Sequence, residues 1–274
     1  MKARTVRRIL YYLVSISIAV VTLFPFLAML LGSFDAQNRY SVSLTSWIPT
    51  SYTLKNYVSI FQMGSSMMRW IWNSLVISVI PTITGVILAA LLGYIFAKKK
   101  FRGKNVVFWY FMIALMIPYQ ATIVSNYLVY NYYNWINQYV VFLVPGLWTV
   151  IYMFMMKQNI VTIPDSLLEA AKIDSAGEWR IFFEIILPLS VPALSTVAIF
   201  SFMNNWNNFM GPLIFTTSED MYNLIVGLAT MNQRTPSFTM QMTAGVVTSI
   251  PIVIVYLSLQ KYFVDGIVAG GVKG

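Results

Sequence analysis

The side chains in this sequence that could do chemistry fall in two clusters, one of carboxylates and one of amides. Five of the nine acidic residues lie between Asp165 and Glu184, between two long uncharged runs. Four asparagines surround Trp206 inside an apolar segment, at positions 204, 205, 207 and 208. Carboxylates in such a stretch can cap helices or meet a partner, and amides can exchange hydrogen bonds with a polar solute. Neither cluster holds a nucleophile beside a base or a set of metal ligands.

The residue types that are missing exclude several classes of protein. The sequence contains neither cysteine nor histidine, which rules out disulfides, thiolate metal sites and the usual zinc and copper ligand sets. Gly103-Lys104 lacks the first glycine and the final Ser or Thr of a phosphate-binding loop. We therefore expect no metal, no cofactor and no enzymatic activity, and any ATP hydrolysis must come from another chain.

The elements that carry the two clusters are predicted to cross a membrane. Of the 274 residues 58% are hydrophobic and 10% are charged, against about 25% charged in soluble domains. Because a helix needs about twenty residues to cross the hydrocarbon core, the 52 uncharged residues from Asn105 to Met156 must hold two spans. We predict an all-α membrane protein, with one transmembrane domain over residues 1–274 and six transmembrane helices. The predicted spans are 9–34, 70–97, 105–125, 139–156, 187–210 and 238–261.

The basic residues predict the orientation of these spans. With the amino terminus inside, fourteen of the eighteen lysines and arginines lie in inside segments. The four on the outside are Arg39, Lys55, Arg69 and Arg234. This excess places both termini and the loop 157–187 on the cytoplasmic side. The net charge of +9 is then explained by basic residues that orient the spans in the membrane. We expect no nucleic-acid partner.

Two helix-start signals lie inside the loop 157–187. Ser166 with Glu169, and Ser175 with Glu178, have the Ser-x-x-Glu spacing of a capping box. The spacing predicts a short helix from about Leu167 to Asp174, a turn, and a second helix that enters the bilayer.

The short helix would have one apolar face. Leu167, Leu168 and Ala171 lie three and four residues apart, and such residues are neighbours on a helix. A short helix with an exposed apolar face is suited to the groove of another protein.

The same loop carries a family resemblance. Glu169-Ala170-Ala171, followed by Ile185 and Leu187-Pro188, resembles the EAA loop of ATP-binding-cassette importer permeases. The turn Phe101-Arg102-Gly103-Lys104 and the tail 264–274 resemble the carbohydrate branch of that family, the maltose type. The usual loop has a glycine six residues after the glutamate, where this chain has Ser175. The resemblance assigns ATPase coupling to Leu167, Leu168, Glu169, Ala170, Ala171, Ser175 and Gly177.

The resemblance also implies a function. It predicts a multi-pass permease subunit in a prokaryotic cell membrane, in an ATP-driven importer that moves a neutral sugar or oligosaccharide into the cell. An extracytoplasmic solute-binding protein would deliver the solute. A second permease subunit would complete a heterodimer within the lipid bilayer, and two separate ATPase subunits would drive transport through the EAA loop.

The uncharged spans agree with a neutral solute. Apart from Lys261, the last residue of the span 238–261, no Asp, Glu, Lys or Arg lies inside a predicted span. A charge there costs at least about 2.5–3.5 kcal/mol and usually marks proton or ion handling. An anionic cargo such as a glycerophosphodiester would need a cation in the pathway, and a peptide is a further alternative. A secondary transporter or channel would show intramembrane carboxylates, histidine or repeated broken helices.

The amide cluster is the predicted pathway for that solute. Asn204, Asn207 and Asn208 share a helix face, and their amides suit the hydroxyls of a sugar. Trp206 or Tyr119 would stack on the sugar, with Gln120 nearby. In the alternative, these amides bond to a neighbouring helix, as polar residues in spans often do.

Overall fold

A computed structural model describes residues 2–37, 48–62, 65–147, 150–234 and 237–271. Arg39 and residues 272–274 of the tail lie outside these ranges. Within them the chain is helical, with one isolated β-bridge between Asp35 and Tyr52, and the all-α prediction is confirmed there. The α-helices are α1 (Lys2–Ser33), α2 (Lys55–Phe61), α3 (Ser65–Lys98), α4 (Lys104–Ala114), α5 (Tyr119–Tyr132), α6 (Val140–Gly146), α7 (Val150–Val161), α8 (Asp165–Ile173), α9 (Glu178–Ile181), α10 (Leu187–Leu189), α11 (Val191–Trp206), α12 (Met210–Phe215), α13 (Leu224–Arg234) and α14 (Phe238–Gly271). A π-helical turn occupies Phe182–Ile186, and a 3₁₀ turn occupies Glu219–Met221.

Some of these helices are long and apolar enough to cross a bilayer. Among the described residues there are four such segments: Val6–Ser33, Ser66–Lys98, Val140–Val161 and Phe238–Tyr262. Two further pairs qualify only if each bent pair counts as one span. The pair α4 and α5 bends by 96°, and Glu178–Leu189 bends from α11 by 78°. Between four and six spans are therefore present by length and composition, and six spans stays a prediction.

The two bends fall in the predicted spans 105–125 and 187–210. Pro118 precedes α5 in an extended conformation, with φ −67° and ψ 135°. It has no N–H to bond to the preceding turn, and it disfavours helix at the residue before it. At the second bend Ser190 leaves helical geometry at φ −100° and ψ 6°, and Pro192 lies in the first turn of α11. Proline therefore accompanies both breaks.

The described chain divides into two compact units. The first comprises Met1–Met67 and Gly227–Ile250. Within it, the hydroxyl of Thr243 donates to the Ser33 carbonyl at 3.2 Å. The side-chain amide of Asn56 donates to the same carbonyl at 2.9 Å. These bonds fix the end of α1 within this unit.

The second unit comprises Met68–Val226 and Pro251–Gly274 and holds both chemical clusters. Gly93 lets α3 and α7 approach closely, because a Cβ there would lie only 2.7 Å from the Met156 Cβ. The buried core of this unit includes Ala89, Ala90, Tyr94, Tyr152, Met156, Ile160, Ile163, Leu168, Ile181, Phe182, Ile186 and Val197. Helices α3, α7 and α11 thus share one core with the carboxylate-rich loop.

Candidate functional site

A cavity opens between the first residues of α5 and the last turns of α11. It has a volume of about 810 Å³, within the range of about 300–1,000 Å³ typical of ligand sites. The first residues of α5 and the last turns of α11 line it, together with the segment between α11 and α12. The lining residues are Tyr119, Gln120, Tyr152, Phe200, Met203, Asn204, Asn207, Asn208, Phe209 and Met210. None of these described residues carries a charge.

The structure brings five of the six predicted pathway residues to this cavity. The amides of Asn204, Asn207, Asn208 and Gln120 line it together with Tyr119. Amides beside aromatic rings can hydrogen-bond hydroxyl groups and pack against the apolar face of a sugar ring.

Trp206 is the exception, because it does not line this cavity. Its side chain is 1% exposed, and its ring stacks on Phe202 with 5.6 Å between the centroids. A residue two positions after Asn204 points to the opposite side of a helix, so Trp206 faces the core when Asn204 faces the cavity.

Five lining residues were missed by the sequence analysis. Phe200 and Met203 precede Asn207 by seven and four positions, which is the spacing of one helix face. That periodicity could have found them. Tyr152, Phe209 and Met210 come from other elements, and no local pattern indicates that they lie here.

The asparagines of the cluster differ in what they do. Asn208 accepts a hydrogen bond from the Gly211 amide at 3.0 Å through its side-chain oxygen. Its backbone carbonyl accepts a 2.8 Å bond from the Asn223 side chain.

Asn205 donates to the Ser201 carbonyl of its own helix at 2.9 Å. Asn204 and Asn207, in contrast, are exposed in the cavity. Two of the four asparagines are thus exposed in the cavity, and the side chains of the other two bond to backbone groups.

The second cluster forms the predicted short helix, α8, which is confirmed at Asp165–Ile173. The capping box of Ser166 is wrong, because the helix begins one residue before this serine. Pro164 is the N-cap residue, and no side chain caps the helix. Ser166 therefore lies in the first turn, where its hydroxyl is not at the capping position.

The capping box of Ser175 is also wrong, because this serine ends one helix and does not begin the next. Its φ is +57°, in the left-handed region where glycine is the usual residue. Ala176 N–H bonds to the Ala171 carbonyl at 2.9 Å, and Ser175 N–H bonds to the Lys172 carbonyl at 3.0 Å. This pair of bonds is the Schellman motif that commonly closes helices. Gly177, at φ −71° and ψ 165°, precedes α9.

The apolar face of α8 is turned toward the protein's own core. Leu168 is 7% exposed and belongs to the core cluster, and Ala171 packs against the same cluster. The expectation that Leu168 and Ala171 form an exposed docking face is therefore wrong. Leu167 is 46% exposed and Ile173 is 84% exposed, and these two residues offer apolar surface at α8.

Two carboxylates of the loop are paired with lysines that end and follow α3. Asp165 lies 2.8 Å from the Lys98 ammonium, and the hydrogen bond from Lys98 lowers the pKa of its carboxyl group. The Glu178 carboxylate pairs with Lys99. The hydrogen bond from Lys99 lowers the pKa of Glu178, with a smaller contribution from a bond donated by Tyr94. Both carboxylates are therefore ionised at neutral pH.

Comparison with known families decides what this architecture is. Residues 85–268 match the family described as "Binding-protein-dependent transport system inner membrane component". The chain belongs to this family. The matched region contains the α8 loop and all the residues of the cavity, so both parts of the candidate site lie in the family's shared portion.

Individual relatives of this transport component are permeases. The arabinooligosaccharides transport system permease protein AraQ of Halalkalibacterium halodurans is 34% identical over 94% of this chain and 93% of that protein. The galactooligosaccharides transport system permease protein GanQ of Bacillus subtilis is 31% identical over 100% of this chain and 99% of that protein. A crystal structure of a bacterial ABC transporter involved in the import of the acidic polysaccharide alginate has a similar fold. Its TM-score is 0.80 at 18% identity, over 96% of this chain and 98% of that one.

Proposed function

We propose that this chain is a membrane-spanning permease subunit of an ATP-driven importer that carries a neutral sugar or oligosaccharide into the cell. The observation that carries the proposal is the cavity at the broken helices, which combines amides and aromatic rings with no charged lining residue. The oligosaccharide permeases among its relatives support the same substrate class.

The partners of the importer follow from the family and from the loop. A binding protein outside the membrane delivers the solute, and a second permease subunit completes the pathway as a heterodimer. Two separate ATPase subunits hydrolyse ATP, since this chain has no phosphate-binding loop. Both termini and residues 157–187 face the cytoplasm, as the distribution of lysine and arginine favours.

The surface that meets the ATPase is the outward side of the α8 loop. Glu169 and Ala170 are exposed, and Leu167 offers its apolar side chain beside them. The inward residues Leu168 and Ala171 act indirectly, by holding α8 against the core. Ser175 and Gly177 shape the turn.

The pathway is lined by Tyr119, Gln120, Asn204 and Asn207. Asn208 borders it and also stabilises the start of α12. No cation lines the cavity among the described residues, and an anionic cargo such as an acidic oligosaccharide or a glycerophosphodiester would need one.

A secondary transporter is the alternative from another class, and the two broken helices are a feature of such proteins. Secondary transporters that couple to protons or ions use ionisable groups near the midplane. The described residues that line this cavity include none. Family membership and the uncharged cavity together favour the ATP-driven importer.

Reconstitution tests the proposal. The chain, its second permease and its ATPase are placed in proteoliposomes, and uptake of neutral and acidic oligosaccharides is measured with the binding protein and ATP. We expect uptake of a neutral oligosaccharide that requires ATP, and no ATP hydrolysis by the isolated chain. Hydrolysis by the homogeneous chain alone, or uptake driven by a proton gradient without ATP, would overturn the proposal.

Docking is tested separately with Glu169→Lys. Glu169 is exposed on α8, and a lysine there reverses the charge at the proposed contact with little effect on the fold. We expect normal membrane insertion and weakened retention of the ATPase during purification. Arg180→Glu is the matched control, because Arg180 pairs with Glu184 on its own helical segment. If both variants retain the ATPase equally well, Glu169 lies outside the contact.

A further inference from the structure

The side chain of Lys98, the last residue of α3, is bonded to the loop that follows α7. Its ammonium donates to the carbonyls of Ile163 at 2.5 Å and Val161 at 3.3 Å. It also contacts the Asp165 carboxylate at 2.8 Å, and only 8% of its side chain is exposed. A lysine that loses this much hydration must be satisfied by its neighbours, and here three oxygens on either side of Pro164 do so.

Lys99, the next residue, reaches the opposite end of the loop. Its ammonium pairs with the Glu178 carboxylate and lies 4.8 Å from the centre of the Tyr94 ring. The hydroxyl of Tyr94 donates to the same carboxylate oxygen at 2.8 Å. Tyr94 is 3% exposed, so one partner of Glu178 is fixed within the core of α3.

The two acidic partners bracket the helix between them. Asp165 is the first residue of α8, and Glu178 is the first residue of α9. Between them Leu168 packs into the core shared with α3. The loop 165–178 is therefore held to α3 at both ends by charge and in the middle by apolar packing.

We propose that Lys98 and Lys99 are positioning residues for transport, which clamp the loop 165–178 to α3 so that the loop and the helix move as one body. The proposal rests on the proposed function, in which this loop docks on the ATPase. The pair is called the two-lysine clamp below.

The amino-terminal end of α3 is hydrogen-bonded to residues 219–222, so a movement of α3 would displace them. Trp70 donates to the Glu219 carbonyl at 2.9 Å. Asn73 donates to the carbonyls of Asp220 at 2.7 Å and Tyr222 at 2.8 Å. The next residue after Tyr222 is Asn223, whose amide bonds to the Asn208 carbonyl at the cavity. A displacement of α3 by the loop would therefore move residues 219–223, which are bonded to the cavity residue Asn208.

The clamp contributes more to geometry than to overall stability. The side chains of Asp165 and Glu178 are 74% and 56% exposed, and pairs with such exposed partners contribute little to folding. The two ion pairs instead fix the angle and the distance between the loop 165–178 and α3. Breaking one pair should leave the protein folded and loosen the transmission of movement.

The first experiment reverses and then swaps the charges of one pair. Lys99→Glu, Glu178→Lys and the double variant are reconstituted in the full transporter, and transported solute per hydrolysed ATP is measured. We expect each single variant to retain the ATPase and to lose about tenfold in this ratio, a typical size for coupling between sites. The swap should restore most of the loss. Arg180→Glu, which breaks the Arg180–Glu184 pair within one segment, should stay near the unmodified ratio.

Three outcomes decide the matter. An unchanged ratio in both single variants would overturn the clamp. Loss of the ATPase from Glu178→Lys that the swap does not restore would also overturn it, since Glu178 would then be a docking residue. If the unmodified transporter shows no ATP-dependent uptake at all, the proposed function fails independently of the clamp.

A distance measurement separates positioning from general stability. The chain has no cysteine, so spin labels can be attached at Ser166→Cys on α8 and at Ile87→Cys on the exposed side of α3. In the unmodified transporter we expect one narrow distance distribution that is the same with and without ATP. Lys99→Glu should broaden it and the swap should narrow it again. A narrow distribution in Lys99→Glu would contradict the proposal.

Discussion

The side-chain oxygen of Asn208 accepts a hydrogen bond from the backbone amide of Gly211 at 3.0 Å. This bond satisfies an N–H of the first turn of α12, which the helix itself leaves without a partner. Asn208 thus borders the cavity while its amide supports the element that follows. Substitution of Asn208 should therefore affect the stability of the protein more directly than solute binding.

Asn208→Ala should therefore lower stability, and Asn208→Asp should not. Alanine removes the acceptor, and the loss of one such hydrogen bond costs about 0.5–1.5 kcal/mol. Aspartate keeps an oxygen at the same place, and its charge is favourable near a helix amino terminus. The measurement is the thermal unfolding midpoint of the purified permease in nanodiscs. Equal midpoints for the alanine variant and the unmodified protein would contradict this role.

Asn207→Ala is expected to behave in the opposite way. Asn207 is exposed in the cavity, so its loss should leave the unfolding midpoint unchanged. One hydrogen bond to the solute is worth about 0.5–1.5 kcal/mol, so the solute concentration for half-maximal uptake should rise about three- to tenfold. An unchanged uptake curve would remove Asn207 from the pathway.

Ser175→Gly should stabilise the end of α8. A non-glycine residue in the left-handed region costs about 1–2 kcal/mol, and the freedom that glycine gains in the unfolded chain returns about 0.4–1 kcal/mol of this. The net gain is up to about 1.6 kcal/mol, measured as slower hydrogen exchange of the Ala176 amide. A capping role for Ser175 predicts a small loss instead, because Ser→Gly at an N-cap costs a few tenths.

Gly177→Ala completes that comparison. The φ of Gly177 is −71°, which any residue can adopt, and a Cβ there would meet nothing within 4 Å. Alanine should therefore be tolerated, with ATPase retention unchanged. Marked destabilisation would show that the turn needs glycine at 177 rather than at 175.

The sequence predicted the helical class and the place of both clusters, since apolar runs and amide chemistry are local properties. It did not anticipate two local details of helix geometry. The amides at 204 and 207 lie beside a cavity, yet Trp206 between them faces the core because of helix phase. Ser166 matched a capping box, but the N-cap residue is Pro164, two residues earlier than the pattern assumes.

The ion pairs of the loop could not be predicted from the sequence, because their partners are far apart along the chain. Lys98 and Asp165 are 67 positions apart, and the charge pattern explained Lys98 as a marker of the cytoplasmic side. Only the packing of α3 against α7, through Gly93, brings the lysine to the loop. Glu178 likewise matched a local cap, while its partners are Tyr94 of α3 and Lys99, the residue that follows α3.

Gly93→Ala should disrupt that packing. The added Cβ would lie 2.7 Å from the Met156 Cβ and 2.9 Å from the Lys157 backbone nitrogen, so the backbones themselves must separate. Overpacking of this kind costs about 1–3 kcal/mol. Gly85→Ala is the matched control on the same helix, since its Cβ would meet nothing closer than 3.6 Å. Thermal midpoints of the two variants should differ clearly, and equal midpoints would contradict the close approach.

The pairing of Glu178 with Lys99 predicts how stability depends on pH. The bond from Lys99 lowers the pKa of Glu178, with further contributions from Tyr94 and the nearby charge of Lys172. A lowered carboxyl pKa gives stability that is present above its ordinary value of about 4.3 and is lost as the pH falls through the folded value. For Lys99, burial lowers the pKa, but the bonds to Glu178 and Tyr94 outweigh it and raise the pKa. That contribution is present below about 10.4 and is lost at higher pH.

The difference in thermal midpoint between the unmodified protein and Glu178→Gln should therefore be small, because Glu178 is largely exposed, and constant from about pH 5 to pH 10. Glutamine keeps the shape and an acceptor but not the charge, so other titrating groups cancel in the comparison. The difference should shrink as the pH falls below about 4.3, because protonated glutamate then resembles glutamine. Lys99→Met should reduce the difference at every pH above about 5, since the carboxylate loses its principal partner and keeps the bond from Tyr94. A difference that changed between pH 6 and 8, or that was undiminished in Lys99→Met, would show that Glu178 owes its stabilising effect to another group.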